Sequence, residues 1–200
     1  VFAAYVGIFA DSMPKGRGMF LTNMGKGFGC LLMLFGGHPL LSYAIVGLGA
    51  AAYSPAKYGI LTEMLPPSKL VIANGWIEGL TVIAIILGVV LGGALILPAM
   101  ADPVIALPLM AELGITTHAK AAILVILFIF GLSAFINLFI PDTGCRYPRS
   151  SFEPVKTLTN FLGSCLLLWK DKLGQTSLAV TSMFWGAGAV LQFLVLAWAD

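Results

Sequence analysis

The chain has 200 residues, of which 59% are hydrophobic and only 10% are charged, and it carries a net charge of +2. Soluble domains hold about a quarter charged residues, so this composition, with a mean hydropathy of +0.97, excludes an ordinary soluble domain and points to a membrane protein. The odd number of cysteines, Cys30, Cys145 and Cys165, has neither disulfide nor metal-ligand spacing.

Val1 to Ala10 reads as the tail of an apolar helix already under way, and the chain stops at Trp198-Ala199-Asp200 as another ends. The expectation is an internal piece of a longer protein. Asp11 to Gly18 mixes charge, proline and glycine, the composition of a short turn between helices. Met19 to Gly36 then offers 18 apolar-rich residues, about 27 Å of helix, which is enough to cross a bilayer. Its Gly25 and Gly29 are four apart and suit close helix packing. Gly37-His38-Pro39 is a tight turn, and Leu40 to about Lys57 crosses back.

That second crossing carries the most unusual stretch, Gly49-Ala50-Ala51-Ala52-Tyr53-Ser54-Pro55-Ala56-Lys57-Tyr58-Gly59-Ile60-Leu61. Proline removes one backbone donor just before Lys57. A lysine at membrane depth marks either a polar pathway or a helix end that snorkels to the headgroups, and both readings stay open here.

Thr62 to Lys69, with Pro66-Pro67, reads as a polar connection, and Val71 to Leu97 is long enough to span with tilt. Glycines at 75, 79, 88, 92 and 93 mark packed faces on it. Pro98 to Thr117 is interrupted by three prolines; it reads as a loop with a short interfacial piece, too poor in apolar residues to span. Lys120 to Ile140 crosses again, and Pro141 to Pro154 is a polar loop. Val155, Leu158, Leu162, Cys165, Leu166 and Trp169 recur at helical spacing, the stripe of an amphipathic helix lying on the membrane. Ser177 to Trp198 is the last span. The fold class is therefore all-α, a polytopic membrane helix bundle.

Orientation follows from lysine and arginine. One side receives Lys15, Arg17, Lys69, Arg146, Arg149, Lys156, Lys170 and Lys172, while the other receives only Lys120 together with Asp102 and Glu112. By the positive-inside rule the first side is cytoplasmic, so loops 11–18, 62–70 and 141–176 face the cytoplasm.

Gly7-x-x-x-Asp11 followed by Lys15-Gly16-Arg17 resembles the signature turn of the major facilitator superfamily. The resemblance implies a conformational latch built from Gly7, Asp11, Lys15 and Arg17, made or broken as two helix bundles rock. Ser12 departs from the usual basic residue after the aspartate, and the basic cluster is displaced by one residue. Gly79, Gly88 and Gly92 are similar to the glycine ladder of superfamily antiporters, without its proline; helix packing explains them better.

Ala50 to Leu61, then Ser68-Lys69-Leu70-Val71 and Ala73-Asn74-Gly75, and finally Ser182-Met183-Phe184-Trp185-Gly186-Ala187-Gly188, resemble the bacterial lysophospholipid transporter family of that superfamily. The resemblance implies the second to seventh helices of a twelve-helix fold. Residues 1–140 would be the remainder of the N-terminal six-helix bundle, 141–176 the inter-bundle loop with its amphipathic helix, and 177–200 the first helix of the C-terminal bundle. It implies inward flipping of lysophospholipids, chiefly 2-acyl-glycerophosphoethanolamine, across the bacterial inner membrane for reacylation. An acyltransferase/acyl-carrier-protein synthetase would be the functional partner, and no cofactor, metal or nucleic acid is expected.

A zwitterionic headgroup needs a cation for its phosphate and a polar partner for its amine. Lys57 suits the first and Glu78 the second, unless Glu78 forms a structural ion pair with Lys57 or Lys69. Tyr53, Asn74, Trp185 and Gln192 come next; Gln192 stands where a close family member carries an arginine. Two other functions compete. A drug or proton-coupled exporter of the same superfamily predicts acids in mid-helix, and the whole spans hold none deeper than Glu78. A membrane-embedded acyltransferase predicts a cluster of His, Asp or Cys at one membrane face, whereas His38 and His118 lie apart from any serine-rich elbow.

Overall fold

The computed structural model describes residues 3–145, 147 and 154–199. Arg146 and Arg149, assigned above to the cytoplasmic side, lie outside the described residues. Those that are described form helices and turns with no strand among them. The chain divides into two units, Val1–Ser150 and Ser151–Asp200.

The first unit contains α1 (Ala3–Asp11), α2 (Lys15–Leu34), α3 (Pro39–Met64), α4 (Pro67–Ile96), α5 (Pro98–Ile105), α6 (Pro108–Glu112) and α7 (His118–Asn137). Proline opens α3, α4, α5 and α6, where its missing N–H has no intrahelical partner to lose and its fixed φ already suits the helix. Gly36 closes the turn after α2 at φ +82°, a left-handed conformation that side chains with a Cβ resist. Thr117 caps α7 by accepting the Lys120 backbone N–H.

Two expectations for the α3 and 98–117 stretches are corrected. The crossing that was to end near Lys57 runs unbroken through Pro55 to Met64, because one lost hydrogen bond does not stop a helix whose neighbours pack it on both sides. Lys57 thereby moves from a helix end to about 10 Å inside one. The 98–117 segment, read as a loop with a short interfacial piece, contains two short helices that bury part of their apolar surface. Ala101, Met110 and Ile115 join Leu34 and Ala121 in a buried cluster at one end of the unit. Three prolines there start helices or sit within one rather than breaking them.

At the opposite end Ala10, Met19 and Ala56 form a second buried cluster, with Tyr53, Ile60 and Ile140 against it. Between the two, α2 and α3 run antiparallel at close range. A Cβ built on Gly29 would lie 2.7 Å from Val46 Cγ2 and 2.8 Å from the Ser42 carbonyl oxygen. The carbonyl cannot rotate away, so Gly29→Ala must part the helices and should cost about 1–3 kcal/mol. A lowered thermal midpoint of the full-length protein in detergent would show it. Gly25→Ala is the control, since nothing lies within 4 Å of its Cβ and alanine is the better helix former; equal losses at both sites would refute the close approach.

The α4 glycines behave differently from the packed faces expected of them. Gly75, Gly79, Gly88, Gly92 and Gly93 all face open space among the described residues. Val71, Leu87, Val89 and Val90 are likewise exposed, an apolar surface suited to lipid tails, where exposure of aliphatic side chains carries no penalty.

The second unit holds α8 (Pro154–Lys170) and α9 (Lys172–Ala199). Asp171 separates them, its Oδ2 accepting the Gly174 backbone N–H at 2.8 Å, while Gln175 Nε2 donates to the Trp169 carbonyl at 2.6 Å. The turn is therefore capped from both sides. α9 begins five residues before the expected span, because capping by Asp171 lets Lys172 enter the first turn.

Candidate functional site

Two gatherings of polar side chains in the first unit hold residues singled out from the sequence. At the end carrying Asp11 and the 141–147 loop, Lys15 is buried to 4% side-chain exposure between two carboxylates. Its Nζ lies 2.5 Å from Asp11 Oδ1 and 3.8 Å from Glu63 Oε1. It also donates to the Ala10 carbonyl at 3.0 Å, in the last turn of α1, where the helix dipole presents its negative end. Glu63 is as deeply covered as Lys15 and is held from the loop side as well. Thr143 Oγ1 donates to its Oε2 at 2.5 Å and the Tyr147 hydroxyl to its Oε1 at 3.0 Å. The Lys15 ammonium faces the Tyr147 ring at 4.7 Å. The hydrogen bond to Glu63, then burial, then the negative charges around it, push the Tyr147 phenol above its ordinary range.

Of the four latch residues, then, the structure brings Asp11 and Lys15 together. Arg17 is exposed and lines a neighbouring cavity, while Gly7 has open space at its Cβ. Sequence reasoning missed Glu63, because a glutamate in an expected polar connection attracts no attention. The signal for it is indirect: once α3 continues past Lys57, position 63 falls on the last turns of a membrane helix.

The second gathering joins α3 to α4. Lys57 Nζ donates to Thr81 Oγ1 at 2.7 Å and lies 5.0 Å from the Tyr58 ring centroid. The Tyr58 hydroxyl donates to Glu78 Oε1 at 2.7 Å. Lys57 and Glu78 therefore stand on facing helices one turn apart, each with a neutral partner, and no ion pair joins them among the described residues. That arrangement leaves one cation and one anion side by side, each still able to take a charged partner. Asn74 is exposed on α4, one turn before Glu78, and Tyr53 is half-buried one turn before Lys57. Trp185 and Gln192 belong to the second unit; Trp185 packs edge-on against Phe184 with centroids 5.7 Å apart, and Gln192 is exposed.

These features define a membrane-embedded helix bundle. Three of the described helices, Pro67–Ile96, His118–Asn137 and Lys172–Val195, are long and apolar enough to cross a bilayer. Over 99% of its length the chain is similar to proteins named lysophospholipid transporter LplT. It is 42% identical to the one from Yersinia enterocolitica serotype O:8 / biotype 1B, covering 44% of that protein. It is 41% identical to those from Enterobacter sp. strain 638 and Serratia proteamaculans strain 568, covering 45% of each. The chain thus spans less than half the length of the curated relatives it matches. No family model and no solved structure matches it.

Proposed function

We propose that the protein carrying this chain transports lysophospholipids across the bacterial inner membrane, and that the chain supplies part of the headgroup path and one conformational latch. The observation that carries the reading is similarity at 41–42% identity along 99% of the chain to proteins named for that transport. The geometry is compatible. Lys57 meets the headgroup phosphate, Glu78 the ethanolamine amine, and the exposed apolar face of α4 lets the single acyl chain remain in lipid. Transport is inward, by facilitated diffusion, and delivers substrate to an acyltransferase/acyl-carrier-protein synthetase for reacylation. In this reading the chain is the second to seventh helices of a twelve-helix major facilitator fold. Residues 1–140 complete the N-terminal bundle, 141–176 link the bundles, and 177–200 begin the C-terminal one.

The latch reading assigns Asp11, Lys15 and Glu63 to a cluster that forms when the bundles close on the cytoplasmic side. The test is uptake of labelled lysophosphatidylethanolamine by cells lacking their own flippase and expressing the full-length protein. Uptake is expected from the wild type. Asp11→Asn, or replacement of Arg17 by glutamine, should slow it at unchanged membrane abundance. No uptake by the wild type refutes the substrate, and normal uptake by both variants refutes the latch.

A further inference from the structure

Lys26 lies eleven residues into α2 from Lys15, about 16 Å along the helix, and only 9% of it is exposed. It does not snorkel. A Cβ on Gly49 would lie 2.8 Å from Lys26 Cγ, so the lysine stem is clamped against α3 and its ammonium is held in place. Nζ donates to Asn23 Oδ1 at 3.0 Å and sits over two rings, 4.4 Å from the Tyr53 centroid and 5.5 Å from that of Phe130. No carboxylate pairs with it among the described residues.

The surroundings are rich in donors and poor in acceptors. A lysine ammonium has three N–H groups and no acceptor, and only one of the three has an oxygen partner here. Asn23 and Asn137 are 2% and 6% exposed, and the amide nitrogen of each is covered without any hydrogen-bond partner among the described residues. Burying donors in this way is costly unless something supplies acceptors. The Asn137 side chain also stands within reach of the Tyr53 hydroxyl, too loosely to make a hydrogen bond from its amide nitrogen. It lines, with Gly16, Arg17 and Asp142, a cavity of about 220 Å³ at the latch end. A cation, two unsatisfied amides and a cavity flanked by arginine thus follow one another from the latch end into the space between α2, α3 and α7.

We propose that Lys26, with the Asn23 and Asn137 amides, forms a site for a phosphate-type oxyanion, either a lysophospholipid headgroup or free phosphate. As a headgroup site it rests on the transport reading above and adds a second station, since Tyr53 lies one helical turn deeper than Lys57. The site has what an oxyanion requires: one fixed positive charge, several N–H donors and no acid paired with the cation.

The experiment uses the full-length protein in detergent and reads its thermal midpoint against rising lysophosphatidylethanolamine, inorganic phosphate, or a monoacylglycerol of the same chain length. A ligand that binds only the folded state raises the midpoint according to its affinity. Lysophosphatidylethanolamine is expected to stabilise the wild type and the monoacylglycerol to do so far less. Lys26→Gln should lower the apparent lipid affinity more than tenfold at an unchanged ligand-free midpoint, and Lys26→Arg should keep part of it. Asn137→Leu should also weaken the lipid response without lowering the ligand-free midpoint, because it removes an unsatisfied donor. A response to inorganic phosphate that Lys26→Gln abolishes assigns the site to the free anion, and a response to the lipid alone assigns it to the headgroup. If phosphate acts while wild-type cells take up no lysophospholipid, the transport reading fails and the oxyanion site stands. Undiminished lipid affinity in Lys26→Gln overturns the proposal. So does a fall in its ligand-free midpoint with the lipid response intact, which would mean that Lys26 pairs with an acid elsewhere in the full-length chain. Should Lys26→Gln fail to fold, undiminished affinity in Asn137→Leu overturns it instead.

Discussion

Lys15→Leu is expected to destabilise the full-length protein by about 3 kcal/mol, the low end of what removing one member of a buried ion pair costs. The reason is Glu63. Its side chain is 4% exposed, and without Lys15 its charge keeps only the neutral donors Thr143 and Tyr147. The double variant Lys15→Leu/Glu63→Leu should recover most of the loss, since an apolar pair can replace a buried ionic one at little cost. Asp11→Leu alone should cost under about 1 kcal/mol, because the Asp11 side chain is 52% exposed and exposed ion pairs contribute little. With Glu63→Leu alone, the Lys15 and Glu63 variants close a mutant cycle, read by thermal or denaturant unfolding in detergent. A double variant no more stable than Lys15→Leu would remove Glu63 from the account.

Lys57→Gln is expected to reduce transport of labelled lysophosphatidylethanolamine more than tenfold, at wild-type abundance. Lys57 is about 10 Å inside α3, where water is scarce, and its partner Thr81 is neutral. A charge-assisted contact to phosphate in such a place is worth roughly 1.5–3 kcal/mol. Arginine should restore part of the activity, because it keeps the charge and changes the shape. Thr81→Val separates the alternatives. It removes the partner and keeps the cation, so transport should stay near wild type if Lys57 serves substrate. If glutamine at 57 leaves uptake unchanged, Lys57 only braces α3 against α4.

Much of the architecture is legible in the sequence because period and length are strong signals in membrane helices. The stripe from Val155 to Trp169 and the span from Lys120 reappear as α8 and α7 within a few residues. The differences in α3 and in the 98–117 segment share one cause. Proline reads as a boundary at Pro55, Pro98 and Pro108, yet in this chain it begins helices or is carried through them. Ending α3 early hides the depth of Lys57 and the location of Glu63. Pairing is less legible than position. Sequence names Lys57 and Glu78 together but does not show that Thr81 and Tyr58 take their hydrogen bonds, because a helix rotation of one residue decides which side chains meet. Lys26 escapes a reading by motif although its signal is plain: a lysine in mid-span, three residues after an asparagine on the same helix face.

The charges shared between α2 and α3 bear on how the protein enters the membrane. α4, α7 and α9 each have the apolarity to partition into lipid alone, and α2 and α3 do not meet the same measure. Released singly, α2 would expose Lys26 to hydrocarbon, at a penalty of about 2.5–3.5 kcal/mol for a lysine near the middle of a span. With Gly29 on Ser42 and the Lys26 stem against Gly49, the two helices cover that charge between them. They are therefore expected to leave the insertion machinery as a hairpin. A ribosome paused between Gly36 and Pro39 would strand the first of them in a bilayer that has no favourable place for it.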